Sequence, residues 1–575
     1  MLDLLIRGAD VVDGTGAPRR RADVGVRAGR VVTIGDVDEP ATRVVDADGL
    51  VLCPGFVDIH THYDAQALWD PACTPSPFHG VTTIIGGNCG FTIAPIEDSE
   101  TDYITRMLAR VEGMPLESLQ EAVKYDWRTF GEYLDRLEGA LAVNAGFLVG
   151  HSALRRVVMG ADAVGNESTP EQLDAMRQLL AESLAAGGLG FSSSQATTHN
   201  DADGNPVPSR SATRDELVAL CRVVRDHPGT TLEFIPSVGG FSDHDLALMT
   251  DMSLAANRPL NWNVLVPNSA RAEAAWSMLE SGTYAAERGA RVVGLTVPDA
   301  VRSHLCFLSG FVFDAIPGWE KTMGLPPAQK MKALADPAER RRLQEAVSSP
   351  AAGVFRGFAN WETFSIVQTF APENDGLEDR VVGDIATERG QEPFDALLDI
   401  VLLDELRTVI HPRVQGEDRA SWELRRDVWR DGRAVVGASD AGAHLDMLST
   451  FNYSTSMLKA CREHDLIPVE EAVHLITDVQ ARLYGIRERG RIAEGWFADL
   501  VLFDEATVGP EPVYTRHDLP AGAGRLYSGA EGIERVFVNG VEIVTGKELT
   551  GNNPGTLLRS GRDTDTVEVP GGAAA

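Results

Sequence analysis

The sequence predicts an α/β protein in which a (β/α)8 TIM-type barrel lies beside a small β-sandwich built from both chain ends. From about 55 to 490, apolar strand-length runs alternate with helical stretches, as in βα units. The two ends contain only short β-branched runs and turns. At 575 residues, the chain exceeds the roughly 250–300 residues over which one hydrophobic core keeps growing, so a large and a smaller domain are expected.

The two chain ends share the same pattern of short β-branched runs separated by turn residues. Residues 1–54 contain LLIRGADVVDG, ADVGVRAGRVVTIG and RVVDADGLVLCPG, and residues 490–575 contain GRIAEGWFADLVLFD and IERVFVNGVEIVTG. Gly and Asn-Gly turns separate these strand-like runs. We therefore expect 1–54 and 490–575 to form one discontinuous β-sandwich domain.

Residues 55–489 are predicted to form the barrel. Strand-like runs are GFVDIH, VTTIIGG, AGFLVGH, TTLEFIP, LNWNVLV, ARVVGLT and AVVGASD. Helical stretches include PEQLDAMRQLLAESLAAG, RDELVALCRVVRDH and SWELRRDVWRDG. Seven or eight such units favour a closed barrel over an open doubly wound sheet, which is the alternative. The pattern breaks at 302–380, which contains the charged helix KMKALADPAERRRLQEAV and is predicted to be a lid inserted in a βα loop.

Charge and cysteine usage limit the classes of function. Lys and Arg total 52 against 84 Asp and Glu, a net charge of −32 without a basic stripe, so nucleic acid and anionic membranes are not expected partners. The six cysteines lack C-x-x-C spacing, which indicates a reducing compartment. No secretory h-region and no transmembrane run is recognisable. We expect a cytoplasmic protein with a small-molecule substrate. The sequence does not determine the oligomeric state, and a homo-oligomer is compatible with it.

The strongest local signal is PGFVDIHTHYDA at 54–65. His60 and His62 are two apart on a predicted strand, so their side chains share one face, and neutral imidazoles there can hold one divalent cation such as zinc. An isolated His-x-His is more often two ordinary polar histidines, but the β-rich entry and the preceding Pro-Gly favour metal binding. Asp58 has the same parity and is expected to hold an imidazole in place.

Two further signals come from Asp440 and Cys89. Asp440 ends the strand in RAVVGASDAGAH, where a carboxylate can accept a proton from the attacking water and pass it to the leaving amine. A helix N-cap formed by Ser439 or Asp440 is the alternative. Cys89, in IIGGNCGF, lies between glycines after a β-branched strand, where a thiolate can approach a cation. A buried inert cysteine is the alternative there.

These motifs together resemble the amidohydrolase superfamily, and PGFVDIHTH, GNCGF and GASDAG resemble its N-acyl-D-amino-acid deacylase (D-aminoacylase) branch. The resemblance covers nearly the whole chain, through GHSALR, GLGFSSS, GRIAEGWFADLVLFD, VFVNGVEIVTG and PGTLLR. It implies a zinc-bearing barrel and hydrolysis of an N-acyl-D-amino acid to a carboxylate and a free D-amino acid. It further implies that His60, His62 and Cys89 are metal ligands, and that Asp440 is the general base near the metal.

The chain departs from that family at two ligand positions. Family members use a histidine at the end of the fifth strand and another at the end of the sixth, whereas these strands read TTLEFIPSVGG and PLNWNVLVPN here. Glu233 is a candidate replacement ligand, and Asn261 or Asn263 can place a weak oxygen near the site. We expect one tightly bound Zn2+, with a second ion left open.

Other polar residues are candidates for binding the substrate. His151, His199, His304 and His444 could compensate for the missing nitrogens, although for each a role in facing the substrate or supporting a ligand is preferred. We expect Glu233, His199 or His151 to lie near the metal position, because zinc usually takes three protein ligands. Arg155, in GHSALR, can bind a substrate carboxylate bidentately, with a surface salt bridge as the alternative.

Three functions are compatible with these residues. The first is a metal-dependent amidohydrolase acting on an N-acyl-D-amino acid or a related small acylated amine. The second is a cyclic-amide hydrolase of the same superfamily, because the altered strands reshape the pocket. The third is a non-catalytic binding protein on a degenerate barrel. Retention of His60, His62, Cys89 and Asp440 together disfavours the third, since a decaying site has no physical reason to keep four such groups.

Overall fold

Parallel β-strands form the centre of the molecule, whose computed structural model describes residues 1–237, 239–310 and 312–571. In chain order the first to eighth parallel strands are Phe56–Asp58, Val81–Gly86, Asn144–Phe147 continued by Val149–Gly150, Gly190–Ser194, Thr231–Ile235, Leu260–Leu265, Val292–Thr296 and Ala434–Val436. Successive strands pair in parallel. A parallel bridge between Thr61 and Ala441 joins the segments that follow the first and the eighth strands. The predicted α/β class is confirmed.

Helices occupy the connections between these strands, as predicted for βα units, and three more follow the eighth strand. They are Thr101–Val111, Leu116–Ala122, Phe130–Leu137, His151–Met159, Pro170–Ala185, Arg214–Arg225, Asp243–Ala256, Ala272–Ala286, Arg419–Trp429, Tyr453–His464, Val469–Leu475 and Asp478–Leu483. Local sequence explains their starts. Before Pro170, for example, Thr169 and Gln172 form a capping box, and proline suits the first helical position because its missing N–H is not needed there. No helix of the described chain combines the length and apolar character needed to cross a bilayer.

Strands from both chain ends pair in one nine-stranded sheet. Its members are Leu2–Val11, Arg20–Arg27, Arg30–Gly35, Ala41–Asp46, Val51–Pro54, Leu500–Phe503, Ile533–Val538, Val541–Thr545 and Glu548–Leu549. Side-chain alternation gives this sheet two apolar faces. Leu500 and Leu502 pack into the sheet's own core, whereas Val501 and Phe503 pack into the large core around the parallel strands.

The segment between the seventh and eighth parallel strands contains a separate hydrophobic core. Its entering strand, Leu305–Cys306, and its leaving strand, Val409–His411, pair antiparallel. The core includes Trp319 and Trp361 and extends to Ile410, so the insertion continues beyond the predicted boundary at 380. Within it, Phe311 lies outside the described residues, as do 572–575 of the predicted C-terminal β segment.

The sequence predicts one charged helix within this insertion, and this prediction of a single helix is wrong. The structure has two helices there, Pro327–Leu334 and Pro337–Ser348. Pro337 lacks the N–H that a continuous helix would need, and the Asp336 carboxylate instead accepts a hydrogen bond from the Ala338 N–H to begin the second helix.

Candidate metal centre

Two histidines and a cysteine meet just beyond the first parallel strand. His60 and His62 follow that strand, which ends at Asp58, and both rings are buried. Cys89 Sγ lies 3.4 Å from His60 Nε2 and 3.7 Å from His62 Nε2. One ligand atom from each residue lies within 4.8 Å of the other two, the single grouping of this kind in the part of the chain that the structure describes. The arrangement has the donor types and the spacing of a zinc site.

Asp440 lies against the same two imidazoles. Its Oδ1 is 3.2 Å from His60 Nε2 and 3.6 Å from His62 Nε2. The Asp440 backbone N–H donates to the carbonyl oxygen of His60 at 3.2 Å, so the segment after the eighth strand runs directly beside the histidine segment. Asp440 adopts φ 51°, in the left-handed region that residues other than glycine rarely occupy.

The alternative interpretation of Ser439 or Asp440 as a helix N-cap is wrong. Within the described chain, the next helical turn is Thr450–Asn452. The Ser439 hydroxyl instead donates to Asp58 Oδ2 at 2.6 Å. Asp58 also approaches the His60 backbone N–H, at 3.5 Å, rather than an imidazole ring. Its carboxylate therefore ties the first and eighth strands together, which differs from the ring-holding role predicted for it.

A glycine-flanked turn presents Cys89. Gly87 has φ 76°, and a Cβ atom there would lie 2.3 Å from the Leu148 carbonyl oxygen, so any side chain would displace the turn. The Cys89 backbone N–H donates to Glu233 Oε2 at 2.8 Å. Glu233, on the fifth parallel strand, therefore contacts the backbone of the turn that carries the thiol. Its other oxygen, Oε1, is buried and has no hydrogen-bond partner among the described residues.

Of the two asparagines on the sixth parallel strand, Asn263 reaches the cluster. Its Nδ2 lies 3.2 Å from His60 Nε2 and 3.4 Å from Asp440 Oδ1. Asn261 instead donates hydrogen bonds to the Leu232 carbonyl oxygen and the Tyr484 hydroxyl. Both N–H groups of its amide therefore have partners outside the cluster.

Glu112 is a site residue that sequence reasoning missed. It follows helix Thr101–Val111, and its Oε1 lies 3.2 Å from His62 Nδ1. A carboxylate on Nδ1 fixes the imidazole tautomer that leaves Nε2 available to a cation. No local signal marks Glu112, because it is one acidic residue in a charged segment and acquires its partner only through folding.

The electrostatics of the cluster favour a bound cation. Burial raises the pKa of Glu233 to about 8 and that of Glu112 to about 7. Burial alone would lower the pKa of His62, but Glu112 and Asp440 together raise it to about 9. Burial would likewise raise the pKa of Asp440, but hydrogen bonds to the two histidines hold it well below its usual value. Two buried carboxyl groups, those of Glu233 and Glu112, and the partly exposed carboxylate of Asp440 therefore lie around two imidazoles, and a cation would stabilise their ionised forms.

The residues present therefore fit a divalent cation. His60, His62 and Cys89 offer two nitrogens and one sulfur within 4.8 Å of one another, and Asp440 adds an oxygen beside both imidazoles. Imidazole and thiolate are donors that zinc accepts.

His199 and His444, two of the candidate substrate-binding residues, lie beside this cluster. His62 and Asp440 are among the charges that act on each of them. Burial lowers the pKa of His199 to about 3 and that of His444 to about 4, so both rings are neutral near pH 7. The Ser194 hydroxyl lies 2.7 Å from His199 Nδ1. The structure thus provides two neutral imidazoles at the edge of the site.

His151 and Arg155 form a different, fully buried network. His151 Nε2 lies 2.8 Å from Glu216 Oε1, and its Nδ1 lies 2.8 Å from the Ser193 hydroxyl. Arg155 also pairs with Glu216. The surface salt bridge considered for Arg155 is wrong, because both partners are buried. These contacts favour a structural role for both residues over substrate binding.

His304 lies at the base of the insertion. Its backbone N–H donates to the Met447 carbonyl oxygen at 2.7 Å, and its ring centroid is 6.4 Å from that of His411. The structure therefore pairs His304 with the leaving strand of the insertion.

Comparison with known proteins identifies the class to which this fold and site belong. The model of the amidohydrolase family matches residues 43–544. The D-aminoacylase of Alcaligenes xylosoxydans xylosoxydans is 27% identical, over 97% of this chain and 97% of its own length. The N-acyl-D-aspartate deacylase of the same organism is 28% identical over 97% of this chain and 95% of its length.

A solved structure agrees with these relatives. A D-aminoacylase structure, described for the functional role of its binuclear metal centre, aligns with a TM-score of 0.64 at 26% identity and covers 97% of this chain and all of its own. The chain belongs to the amidohydrolase family. The resemblance to the N-acyl-D-amino-acid deacylase branch, recognised from the sequence motifs, is confirmed.

Proposed function

We propose that the protein is a metal-dependent hydrolase that cleaves the amide bond of N-acyl-D-amino acids. The observation that carries this proposal is the convergence of His60, His62 and Cys89 within 4.8 Å of one another, beside Asp440. The relatives named D-aminoacylase and N-acyl-D-aspartate deacylase support the substrate class. His199 and His444 are proposed to face the substrate.

One tightly held Zn2+ is the proposed cofactor. His60, His62, Cys89 and Asp440 would hold it, with Glu233 as an additional oxygen donor next to Cys89. When bound, such a cation polarises the scissile carbonyl and lowers the pKa of water. Glutamate and asparagine occupy the positions of two family histidines, and this loss of nitrogen donors supports a single ion over a pair.

Asp440 is proposed to move the proton that amide hydrolysis requires. Its carboxylate is ionised near neutral pH and therefore has the free oxygen lone pair needed to accept a proton from the attacking water. The water oxygen adds to the carbonyl carbon, the C–N bond breaks, and the proton returns to the departing nitrogen. Without that proton the leaving group would be an amide anion, which departs far too slowly at neutral pH. Glu112 orients His62 throughout, without contacting the substrate.

The architecture around this site is proposed to be a closed (β/α)8 barrel. Pairing between successive parallel strands and the Thr61–Ala441 bridge support closure. We further propose that 1–54 and 490–575 form one β-sandwich unit and 55–489 the barrel unit. The insertion is proposed to cover the face of the barrel on which Asp440 lies. A β-bridge between Ser303 and Leu448 supports this, because it places the start of the insertion beside the segment that follows Asp440.

Metal content measured together with stereospecific turnover tests this function. Purified protein would be assayed on matched N-acyl-D and N-acyl-L amino acids before chelation, after chelation and after stoichiometric zinc is returned. We expect hydrolysis of D substrates that chelation abolishes and zinc restores. Cys89→Ser should lose metal, whereas Cys221→Ser, a buried cysteine in helix Arg214–Arg225, should retain it. Turnover that survives complete metal removal, or strict preference for L substrates, would contradict the proposal.

A further inference from the structure

Asp64 is a buried carboxylate that the proposed reaction does not use. It lies two residues after His62, in the segment that follows the first parallel strand, and is 4% exposed. It is not a member of the grouping formed by His60, His62 and Cys89. Because a buried carboxylate is costly to retain without partners, its contacts indicate what it does.

The Asp64 side chain contacts the turn that carries Cys89. Its Oδ2 accepts a hydrogen bond from the Gly87 backbone N–H at 2.9 Å. A Cβ atom at Gly86 would lie 2.9 Å from the same oxygen and 2.7 Å from the Phe147 ring. The absence of a side chain at Gly86 therefore lets the carboxylate reach the turn.

Further hydrogen bonds join the same two segments. Asn88 Nδ2 donates to the Thr61 carbonyl oxygen at 3.1 Å, and the Thr61 backbone N–H donates to the Ile85 carbonyl oxygen at 3.0 Å. The hydrogen bond between Asp64 and Gly87 differs from these in having a charged acceptor. Hydrogen bonds to an ionised group are roughly twice as strong as those between neutral groups, so this contact should contribute most to holding the turn.

The second oxygen of Asp64 lacks a protein partner. Oδ1 is buried and has no hydrogen-bond partner among the described residues. One N–H does not replace the hydration of a carboxylate, so positive charge nearby is needed to stabilise the ionised group. His62, which interacts electrostatically with Asp64, and a cation held beside it would supply that charge.

We propose that Asp64 is a positioning residue that makes Cys89 a metal ligand, by holding the turn at 87–89 against the segment that contains His60 and His62. This inference rests on the proposed metal centre. Asp64 gives no donor atom to the cation and acts through the backbone of the turn, which keeps Cys89 Sγ 3.4 Å from His60 Nε2. Loss of the hydrogen bond would leave the two histidines in place and release the thiol.

Two substitutions separate the hydrogen bond from the charge. Asp64→Asn keeps an oxygen that can accept from Gly87 and removes the charge, whereas Asp64→Leu removes both. Asp404→Leu is the matched control. Asp404 is also fully buried and accepts backbone N–H hydrogen bonds, from Phe370 at 3.1 Å and Ala371 at 2.7 Å, but it lies in the insertion.

Cobalt substitution reports the cysteine ligand directly, because a thiolate bound to Co2+ adds a near-ultraviolet charge-transfer band that imidazole ligands do not give. Titration of Co2+ into metal-free wild type should produce this band, and Cys89→Ser should lack it. Asp64→Leu should lose most of the band and bind Co2+ about 10–100-fold more weakly. Asp64→Asn should keep the band, and Asp404→Leu should keep both the band and wild-type affinity.

The outcomes distinguish this inference from the proposed metal centre. A full band with wild-type affinity in Asp64→Leu would overturn the positioning role, and so would loss of the band in Asp64→Asn, because the hydrogen bond would then not be the cause. Absence of the band from wild type would overturn the proposed metal centre, and this inference with it. If circular dichroism shows Asp64→Leu to be unfolded, Asp64→Ser, whose hydroxyl is too short to reach Gly87, takes its place with the same expected result.

Discussion

The Glu112 carboxylate lies 3.2 Å from Nδ1 of His62, on the side of the ring away from Cys89 and Asp440. The two residues belong to different connections and meet only in the folded chain. A hydrogen bond at Nδ1 leaves Nε2 as the nitrogen that faces the cluster, and a carboxylate there increases the basicity of the ring. In the proposed metal site, Glu112 would therefore support a ligand without being one itself.

Replacing Glu112 with glutamine should weaken metal binding while preserving the fold. The amide keeps the shape but loses the charge that supports His62, and loss of such a partner typically costs about 10–100-fold in metal affinity. Competition against a chromogenic chelator would measure this change. Glu121→Gln, on an exposed position of the next helix, is the control and should bind metal as wild type does. Equal affinity in the two variants would assign Glu112 a packing role.

Local pattern was sufficient to predict the fold class and four members of the cluster. Parallel strands leave period-two and apolar patterns that can be read in short windows, and His60, His62, Cys89 and Asp440 each follow such a strand. The end of the insertion could not be predicted from local pattern, because the hydrophobic core that extends to Ile410 joins residues that are distant in sequence.

Partners brought together by tertiary structure were not predictable from motifs. Asn261 and Asn263 are two residues apart on one strand, so their side chains are expected on the same face. Asn261, however, donates a hydrogen bond to the Tyr484 hydroxyl, whereas Asn263 contacts His60. Arg155 lies close to a histidine in a motif that resembles the family. Its guanidinium nevertheless forms an ion pair with Glu216, on the helix that follows the fourth strand. Which polar group is already satisfied depends on contacts that no local window contains.

Stability should depend on pH through His79, a buried histidine outside the metal cluster. Its Nδ1 lies 2.8 Å from the Thr455 hydroxyl, and its Nε2 lies 3.2 Å from the Ser528 carbonyl oxygen. Burial lowers its pKa to about 4, against about 6.5 in an unfolded chain. The unfolded state therefore gains a proton first as pH falls. This contribution to stability is complete above about pH 6.5 and is lost between about 6.5 and 4, by up to roughly 3 kcal/mol.

Denaturant unfolding of metal-free protein at a series of pH values between 7.5 and 4.5 would measure this dependence. We expect the free energy of unfolding to decrease with falling pH in wild type, and less steeply in His79→Gln, which has no titrating group there. A variant with the same slope as wild type would show that His79 does not contribute to the dependence.

Asp440 is the residue on which turnover should depend most. Its carboxylate is within 3.6 Å of both imidazoles, and its low pKa keeps it ionised at neutral pH. Asparagine at this position retains the size and one oxygen but cannot accept the proton of the attacking water. General acid–base catalysis contributes about 10²–10⁴ in rate, so the loss should fall on kcat.

The most direct measurement is kcat for Asp440→Asn on an N-acyl-D-amino acid, with metal content and circular dichroism recorded for the same sample. We predict a decrease of about 10² or more with the fold unchanged and most of the metal retained. Near-normal kcat in a folded, metal-loaded variant would contradict the account, because the proton transfer assigned to Asp440 would then be carried by another group.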